Sequence, residues 1–510
     1  MTSDTPQKTA VDFHKLRLDG VYRMNDQDEL MLRIKVPAGV LSVAQAGQVA
    51  ELADSFAGGR LHLTTRGSIE LHRVQVEDLA SIGRGLASVG LTSRGACGGA
   101  VRGITCSTSF SPRFGTTQAL ARRLHRHFAG NPHFEGLPKK FKIAVEDGYQ
   151  GARHLIQDVG LVLVETHQDE NRFDVWVGGG LGREPQAAIL LEEKVSEKRI
   201  IPLIEAVVRT YRKHTAPPRR LKYLLRTQGE STFRRLLQQE LGSASATLIA
   251  GGLDAAPEPG TNLEATTARI FAGDLDTTVF RNLVDLAARH AEGFLVLTAD
   301  QNIALAPRSE KDAQEVNKQL MEGGFSGSAP EQRTTFRVCV GNHACRMGLC
   351  ATRDVARQAQ ARMPETARDL DWAISGCPNS CSQPQLADFG IALRRGFGPR
   401  VIEAARSKGV AILALKAMAR QRWPEGDPMR QQYPKCWYQP LTDRDEARLG
   451  LYFTLSRPVT AAIPPGDESL FRMALDVAMR YRPVSQEEEE TLRQMARSLK
   501  PVFAQSHPQT

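Results

Sequence analysis

The sequence predicts a duplicated α+β fold, and three observations carry that reading. A helix–strand–strand pattern occurs twice at constant spacing. A longer run of alternating strands and helices lies between the two copies. The composition, 41% hydrophobic and 24% charged over 510 residues, is globular and excludes general disorder. A chain of this length divides into several structural units.

The repeat is visible without gaps. Residues 48–72, QVAELADSFAGGRLHLTTRGSIELH, align with 282–306, NLVDLAARHAEGFLVLTADQNIALA, at an offset of 234. Leu52 matches Leu286, Gly59 matches Gly293, Leu61 and Leu63 match Leu295 and Leu297, and Ile69 and Leu71 match Ile303 and Leu305. The first part of each copy has helical apolar spacing, a glycine stops it, and two alternating stretches follow as strands. Between the copies, GLVLVET and FDVWVGG read as strands and IIPLIEAVVRTYRKH as a helix. TAPPRR breaks that helix, and LKYLLRTQGESTFRRLLQQEL reads as a second one. Residues 251–266, rich in Gly, Pro and Ala, read as a linker. Ser485 with Glu488 fits a capping box that opens a terminal helix.

Composition also narrows the function. No stretch approaches the roughly 20 apolar residues of a spanning helix, and the first 20 residues have no apolar signal region. These features predict a soluble, cytoplasmic protein without membrane association. The net charge of +9 is spread along the chain rather than gathered in a basic arm, which argues against nucleic acid. A mildly basic surface suits anionic substrates, anionic cofactors or an acidic partner.

Five of the eight cysteines fall between 339 and 381. Cys339 and Cys345 have five residues between them, in VCVGNHACRMGLC; Cys377 and Cys381 have three, in ISGCPNSC. Two thiol pairs suit a metal centre, and the wide first pair departs from structural zinc spacing. Gly376, Pro378 and Asn379 favour a tight turn whose backbone N–H groups are free to face sulfur. The alternative is a set of buried structural thiols, and Cys350 is a spare candidate ligand.

The cationic residues stand elsewhere. Arg66 follows LHLTT, and Arg102 sits in the glycine-rich GACGGAVRGITC. In LPKKFKIAV, Lys140 and Lys142 share one face of an extended segment, while Phe141 and Ile143 take the other. Two ammonium groups on one face repel each other unless an anion lies between them.

The pattern C-x5-C followed by C-x3-C, with GCPNSC as the second pair, resembles the cluster motif of the sirohaem-dependent sulfite and nitrite reductases. TTR, VRG and LPKKFK resemble that family's substrate-site motifs. The resemblance runs from about residue 15 to about 395, in order. It implies a pseudo-two-fold duplicated fold of ferredoxin-like half-domains plus two α/β domains that carry sirohaem and a 4Fe–4S cluster. It implies that Cys339, Cys345, Cys377 and Cys381 hold the cluster, with Cys381 shared with the sirohaem iron. It further implies that Arg66, Arg102, Lys140 and Lys142 surround the substrate, and that Thr64, Thr65 and Asn379 contact sirohaem. The expected boundaries are 1–90 and 251–332 for the half-domains with the linker, 91–250 and 333–450 for the α/β domains, and 451–510 for a C-terminal segment; RLGLYFTLSRPVTAAIPPGDESLFRMALDVAMRY is read first as an ordinary diverged domain end, with a third strand–helix unit or a docking surface for an electron donor as the alternatives.

The implied reaction is reduction of sulfite to sulfide, with nitrite reduction as the alternative on the same site. The second lysine of LPKKFK leans towards sulfite. VGGGLG at 177–182 lacks the strand–turn–helix context of a dinucleotide fingerprint, so electrons are expected from a separate ferredoxin or flavoprotein. The chain departs from the family pattern at Gly67, Gly99 and Gly103, and it lacks the Gly-Gly strand turn expected after GCPNSC. A precorrin-3B synthase-like enzyme and a non-catalytic redox or binding subunit are the rival readings.

Overall fold

The computed structural model describes residues 12–24, 29–108, 110–166, 170–242, 265–325, 334–393, 405–406, 409–500 and 502. Most of the stretch read as a linker, 251–264, lies outside them. The chain forms two compact units, divided between Leu393 and Arg394.

The first unit begins with β1 (Val21–Arg23), β2 (Leu30–Ile34), β3 (Val40–Ser42), α1 (Val43–Phe56), β4 (Arg60–Leu63), β5 (Ile69–Val74) and α2 (Leu79–Ser88). An α/β region follows: β6 (Thr105–Cys106), α3 (Phe114–Phe128), β7 (Ile143–Glu146), β8 (Val159–Thr166), β9 (Asn171–Val177), β10 (Ile189–Ser196), α4 (Glu197–His214) and α5 (Leu221–Leu241). The second copy comprises β11 (Thr266–Ala268), β12 (Asp274–Asp276), α6 (Thr277–His290), β13 (Phe294–Leu297), β14 (Ile303–Leu305) and α7 (Glu310–Glu322). The unit closes with β15 (Thr335–Val338), α8 (Gly341–Ala344), α9 (Thr352–Ala361), β16 (Asp371–Ser375) and β17 (Phe389–Ala392).

The repeat read in the sequence is a repeat in space. The two copies form sheets of order β1-β2-β5-β4-β12 and β11-β14-β13-β3, so each copy lends a strand to the other's sheet. β12 pairs with β4, setting Leu275 opposite Leu61, and β3 pairs with β13, setting Leu41 opposite Leu295. These contacts are related by the same offset of 234. So are the tight turns that lead into the exchanged strands, where Ala38 and Ala272 have φ of 53° and 57°. Both helices start on a side-chain cap: Ser42 with Gln45 in a capping box, and Asp276 accepting from the Val279 N–H, each contributing about 1 kcal/mol. α1 and α6 bury Val49, Leu52, Leu283 and Leu286 in one core shared by both sheets.

The α/β region has a separate core over the sheet β10-β9-β8-β7-β6, in which β6, β7 and β8 are parallel. The thiol-bearing region has a smaller parallel sheet, β15-β16-β17. Buried Arg337 on β15 joins it to the duplicated core by donating to Asp300 Oδ1 at 2.8 Å.

The second unit contains β18 (Leu413–Leu415), β19 (Ala419–Gln421), β20 (Gln439–Pro440), α10 (Arg444–Leu455), β21 (Ala461–Ile463), α11 (Glu468–Ala478) and α12 (Gln486–Arg497). Leu451, Tyr452, Leu470 and Val477 form its core. The 449–481 stretch is helix–strand–helix rather than a strand followed by a helix. Asp443 caps α10, and its carboxylate accepts from Asp445 and Glu446 N–H groups. The Ser485–Glu488 capping box is formed. Among the described residues, no helix is long and apolar enough to cross a membrane.

Candidate functional site

The site lies within the first unit, where the loop after β4 meets the loop after β16. The β4–β5 connection, Thr64 to Ser68, is a tight turn. Thr64 Oγ1 accepts from the Arg66 and Ser68 N–H groups at 3.3 and 3.2 Å, so Thr64 shapes the turn. Thr65 Oγ1 donates to the Cys381 carbonyl at 2.7 Å, and Gln383 Nε2 donates back to the Thr65 carbonyl at 3.1 Å. The first copy and the thiol loop, more than 300 residues apart in sequence, are thereby held together.

None of the four cysteines is in a disulfide. They form one electrostatic cluster: burial raises the pKa values of Cys339, Cys345 and Cys377, and Cys381 adds to each. Backbone N–H groups point at the sulfurs. Gly376 N–H donates to Cys339 Sγ at 3.1 Å. Gly341 also serves Cys339, Met347 serves Cys345, and Asn379 serves Cys377 through backbone and side chain. Such donors stabilise thiolate sulfur, and this is the environment that iron–sulfur ligands need. Among the described residues, no three Cys, His, Asp or Glu side chains are grouped so as to hold a metal ion. Asn379 is exposed and serves the Cys377 sulfur. Cys350 lies beside α9, where its carbonyl accepts from the Asn342 N–H.

The cations converge on the same place. Lys140 and Lys142 lie just before β7, flanking Phe141, which is fully buried on the core side. Both are half-buried. Neither ammonium group has a hydrogen bond or ion pair among the described residues. Burial, then Arg220 and Arg102, lowers Lys140 to about 8. Burial, then Arg66 and Lys140 itself, holds Lys142 well below the usual lysine range. The thiol of Cys381 acts on both lysines in the opposite sense. The lysine pair and Cys381 thus share one electrostatic basin.

Arg66 and Arg102 border this basin, and their hydrogen bonds go to neutral groups. Arg66 donates to Gln157 Oε1 at 3.1 Å and to the Gly103 carbonyl at 2.7 Å. Arg102, buried, donates to the Ala96 and Gly98 carbonyls at 2.5 and 2.9 Å. Burial, then Arg102, lowers Arg66 to about 9. A basin of cations without carboxylate partners is unstable when empty and favourable around an anion.

Three further basic residues shape the basin and were not singled out from the sequence. Arg33 is held by Glu70 at 2.6 Å, which removes its charge from the pool available to an anion. Lys35 donates to the Val101 carbonyl, and burial lowers it to about 7. Arg220 donates to Asp158 Oδ2 at 2.6 Å, and the same oxygen accepts the Lys142 backbone N–H. The signal for Arg33 and Lys35 is present in LMLRIKV, where both fall on the polar parity of a strand whose other face is buried.

The chain is similar to several known proteins. The model for the nitrite/sulfite reductase ferredoxin-like half domain matches residues 22–89 and 258–323, the two copies. The model for the nitrite and sulphite reductase 4Fe-4S domain matches 101–244. That match covers the cation-bearing α/β region and stops short of the thiols. Among curated proteins, the sulfite reductase (ferredoxin) 2 of Mycolicibacterium paratuberculosis is 28% identical over 390 residues, 71% of this chain and 69% of that protein. The ferredoxin–nitrite reductase of Leptolyngbya laminosa is 29% identical over 416 residues, 74% and 79% of the two chains. The solved structure of Mycobacterium tuberculosis NirA shares the fold, with a TM-score of 0.64 over 75% of this chain and 78% of that one at 24% identity.

Proposed function

Because this chain belongs to the nitrite and sulfite reductase family, we propose that its physiological reaction is the six-electron reduction of sulfite to sulfide, carried out between the Lys140–Lys142 pair and the Cys381 loop. The chain is an oxidoreductase of sulfite or nitrite, and its cofactors are sirohaem and a 4Fe–4S cluster. The observation that carries the sulfite reading is the pair of unpartnered lysines beside Cys381.

When bound, the cofactor pair supplies the electrons and the iron that takes the anion. Cys339, Cys345, Cys377 and Cys381 would hold the cluster, and Cys381 would be the thiolate shared with the haem iron. Thr65 and Gln383 fix the Cys381 loop against the TTR turn. Sulfite is strongly hydrated, and a half-buried site must replace that water with fixed positive charge. Lys140 and Lys142 supply it and are the first proton donors to the departing oxygens. Arg66 and Arg102, pinned through carbonyls and an amide, hold a fixed field towards the same point. The sulfite dianion takes up six electrons and seven protons and leaves as hydrosulfide with three waters, so the reaction consumes protons throughout.

The electron donor in this reading is a ferredoxin, with a flavoprotein as the alternative. Both curated relatives described above carry ferredoxin in their names, and a basic chain suits an acidic donor. The Arg33–Glu70 ion pair supports the second reading, nitrite: it withdraws one cation from the basin, and a monoanion needs fewer. Steady-state kinetics with a reduced viologen decides between them. A higher kcat/KM for sulfite than for nitrite supports the proposal, and the reverse order overturns it in favour of nitrite.

A further inference from the structure

A cavity of about 220 Å³ opens beside the end of β7, lined by Thr65, Thr105, Glu146, Arg153, Gln157 and Gln383 among others. Its two ends differ. Gln150 and Gly151, in the turn after β7, are exposed and form its mouth. Thr65, Gln157 and Gln383 are buried and form its inner wall. Gln157 accepts the Arg66 guanidinium, while Thr65 and Gln383 hold the Cys381 loop. The cavity thus runs from the exposed Gln150–Gly151 turn to Gln157, which accepts from Arg66, and has room for several waters.

Glu146 is the last residue of β7 and lines this passage at 7% exposure. Its carboxyl has no hydrogen bond or ion pair among the described residues, an unusual condition for a buried acid. The charged groups around it are Arg153, in the turn before β8, and Asp147, its chain neighbour. Arg153 donates to Asp300 at 2.7 Å. Arg113, at the start of α3, donates to the Asp147 and Leu163 carbonyls. Cys106, on β6, lines the same cavity as a thiol that burial keeps protonated. No neighbour neutralises a Glu146 carboxylate completely.

We propose that Glu146 is the proton relay of this site, taking protons from solvent at the Gln150–Gly151 mouth and passing them through the cavity to the wall that holds Arg66. In each passage the Glu146 carboxyl O–H bond breaks, and the proton moves inward past Gln157. It re-forms an N–H bond on a Lys142 amine that has given its proton to a departing oxygen, and a proton from solvent restores the carboxyl; no electron moves at Glu146. Burial, opposed by Arg153 and helped by Asp147, raises the carboxyl to about 7. Both forms are then populated near neutral pH, as a relay requires. Glu146 touches neither substrate nor cofactor in this role, which rests on the reductase reading above.

The test uses the full-length holoenzyme with reduced viologen and sulfite, in wild type, Glu146→Gln and Glu146→Asp. Glu146→Gln is expected to lower kcat by about tenfold or more with KM little changed. It should also remove a loss of rate as pH rises through about 7, leaving a limb near 8 in place. Glu146→Asp should recover part of the rate. Infrared difference spectra against pH supply a reading independent of turnover: a protonated carboxyl band titrating near pH 7 in wild type should vanish in Glu146→Gln. Wild-type kcat and pH profile in Glu146→Gln, or an unchanged carboxyl band, overturns the relay alone. A wild type silent towards both sulfite and nitrite overturns the reductase reading and the relay with it.

Discussion

The turn Thr64–Ser68 and the turn Thr298–Asn302 are the same structure put to opposite uses. In each, a threonine Oγ1 accepts two backbone N–H groups, from Arg66 and Ser68 in one and from Asp300 and Asn302 in the other. In each, the fourth residue has positive φ: 58° at Gly67 and 63° at Gln301. The third residue separates them. Asp300 is neutralised by Arg153 and Arg337 at 2.7 and 2.8 Å. Arg66 finds at Gly103, which stands where Arg337 does at the offset of 234, only a carbonyl. The second turn thus joins two guanidinium groups through one carboxylate, while the first, among the described residues, keeps a guanidinium bound only to neutral groups, a carbonyl and an amide.

The fourth residue extends the contrast. Gln301 binds the Leu63 and Val338 carbonyls at 2.7 and 3.1 Å and accepts from the Val338 N–H, sealing its copy to β15. Gly67 has no side chain to do so, and a small gap lined by Gly39, Arg66, Thr105 and Leu297 lies there instead.

The strongest way to break the comparison is to remove the thiol that the first turn holds. Cys381→Ser is expected to abolish turnover, a loss of at least about a thousandfold, and to change the iron spectrum in anaerobic electron paramagnetic resonance. Full activity in that variant would end its proposed role as the shared ligand. Asp300→Ala attacks the second turn. It leaves Arg337 and Arg153 without their shared carboxylate and should cost about 2–3 kcal/mol in urea unfolding, somewhat below a fully buried pair because Asp300 is partly exposed. Lys142→Asn attacks the basin that Arg66 borders. It should lower kcat/KM for sulfite by about ten- to a hundredfold and for nitrite by less; equal losses would remove the basis for sulfite preference.

Two smaller effects sharpen the contrast. Lys140, lowered to about 8, loses its charge as pH rises through that value, and a bound anion favours the charged form. Affinity for a non-reducible anion such as phosphate, read by calorimetry, should be intact at pH 7 and weaken by about tenfold towards pH 9. Gly67→Gln should change stability by less than about 1 kcal/mol. A Cβ there meets the Gly39 Cα and the Leu297 carbonyl at 3.0 Å, but Gln301 accommodates the same backbone in the other copy. A loss of several kcal/mol on chemical unfolding would show that the two turns are less alike than their hydrogen bonds indicate.

Much of the fold was legible in the sequence because repetition and parity are local properties. The offset of 234, the Leu61–Leu63 alternation and the Ser485–Glu488 box depend on neighbours in sequence. The exchange of β3 and β12 between the sheets was not legible, since strand partners are chosen by long-range packing. In the site, cysteine spacing pointed to a cluster, but Arg33, Lys35, Arg220 and Glu146 escaped notice. A cation or acid inside a strand looks like any residue on a polar face until the structure shows that the face is covered.

The sequence alone determined that the chain is a duplicated α+β protein with a thiol cluster and a set of basic motifs, because periodicity and spacing are fixed by the covalent chain. Only the tertiary structure decided which charges are answered. Arg33 meets Glu70 and Asp300 meets Arg337, while Lys140, Lys142 and Glu146 meet no hydrogen-bond or ion-pair partner among the described residues. Whether a buried charge is compensated depends on groups tens to hundreds of residues away, and that difference divides scaffold from site.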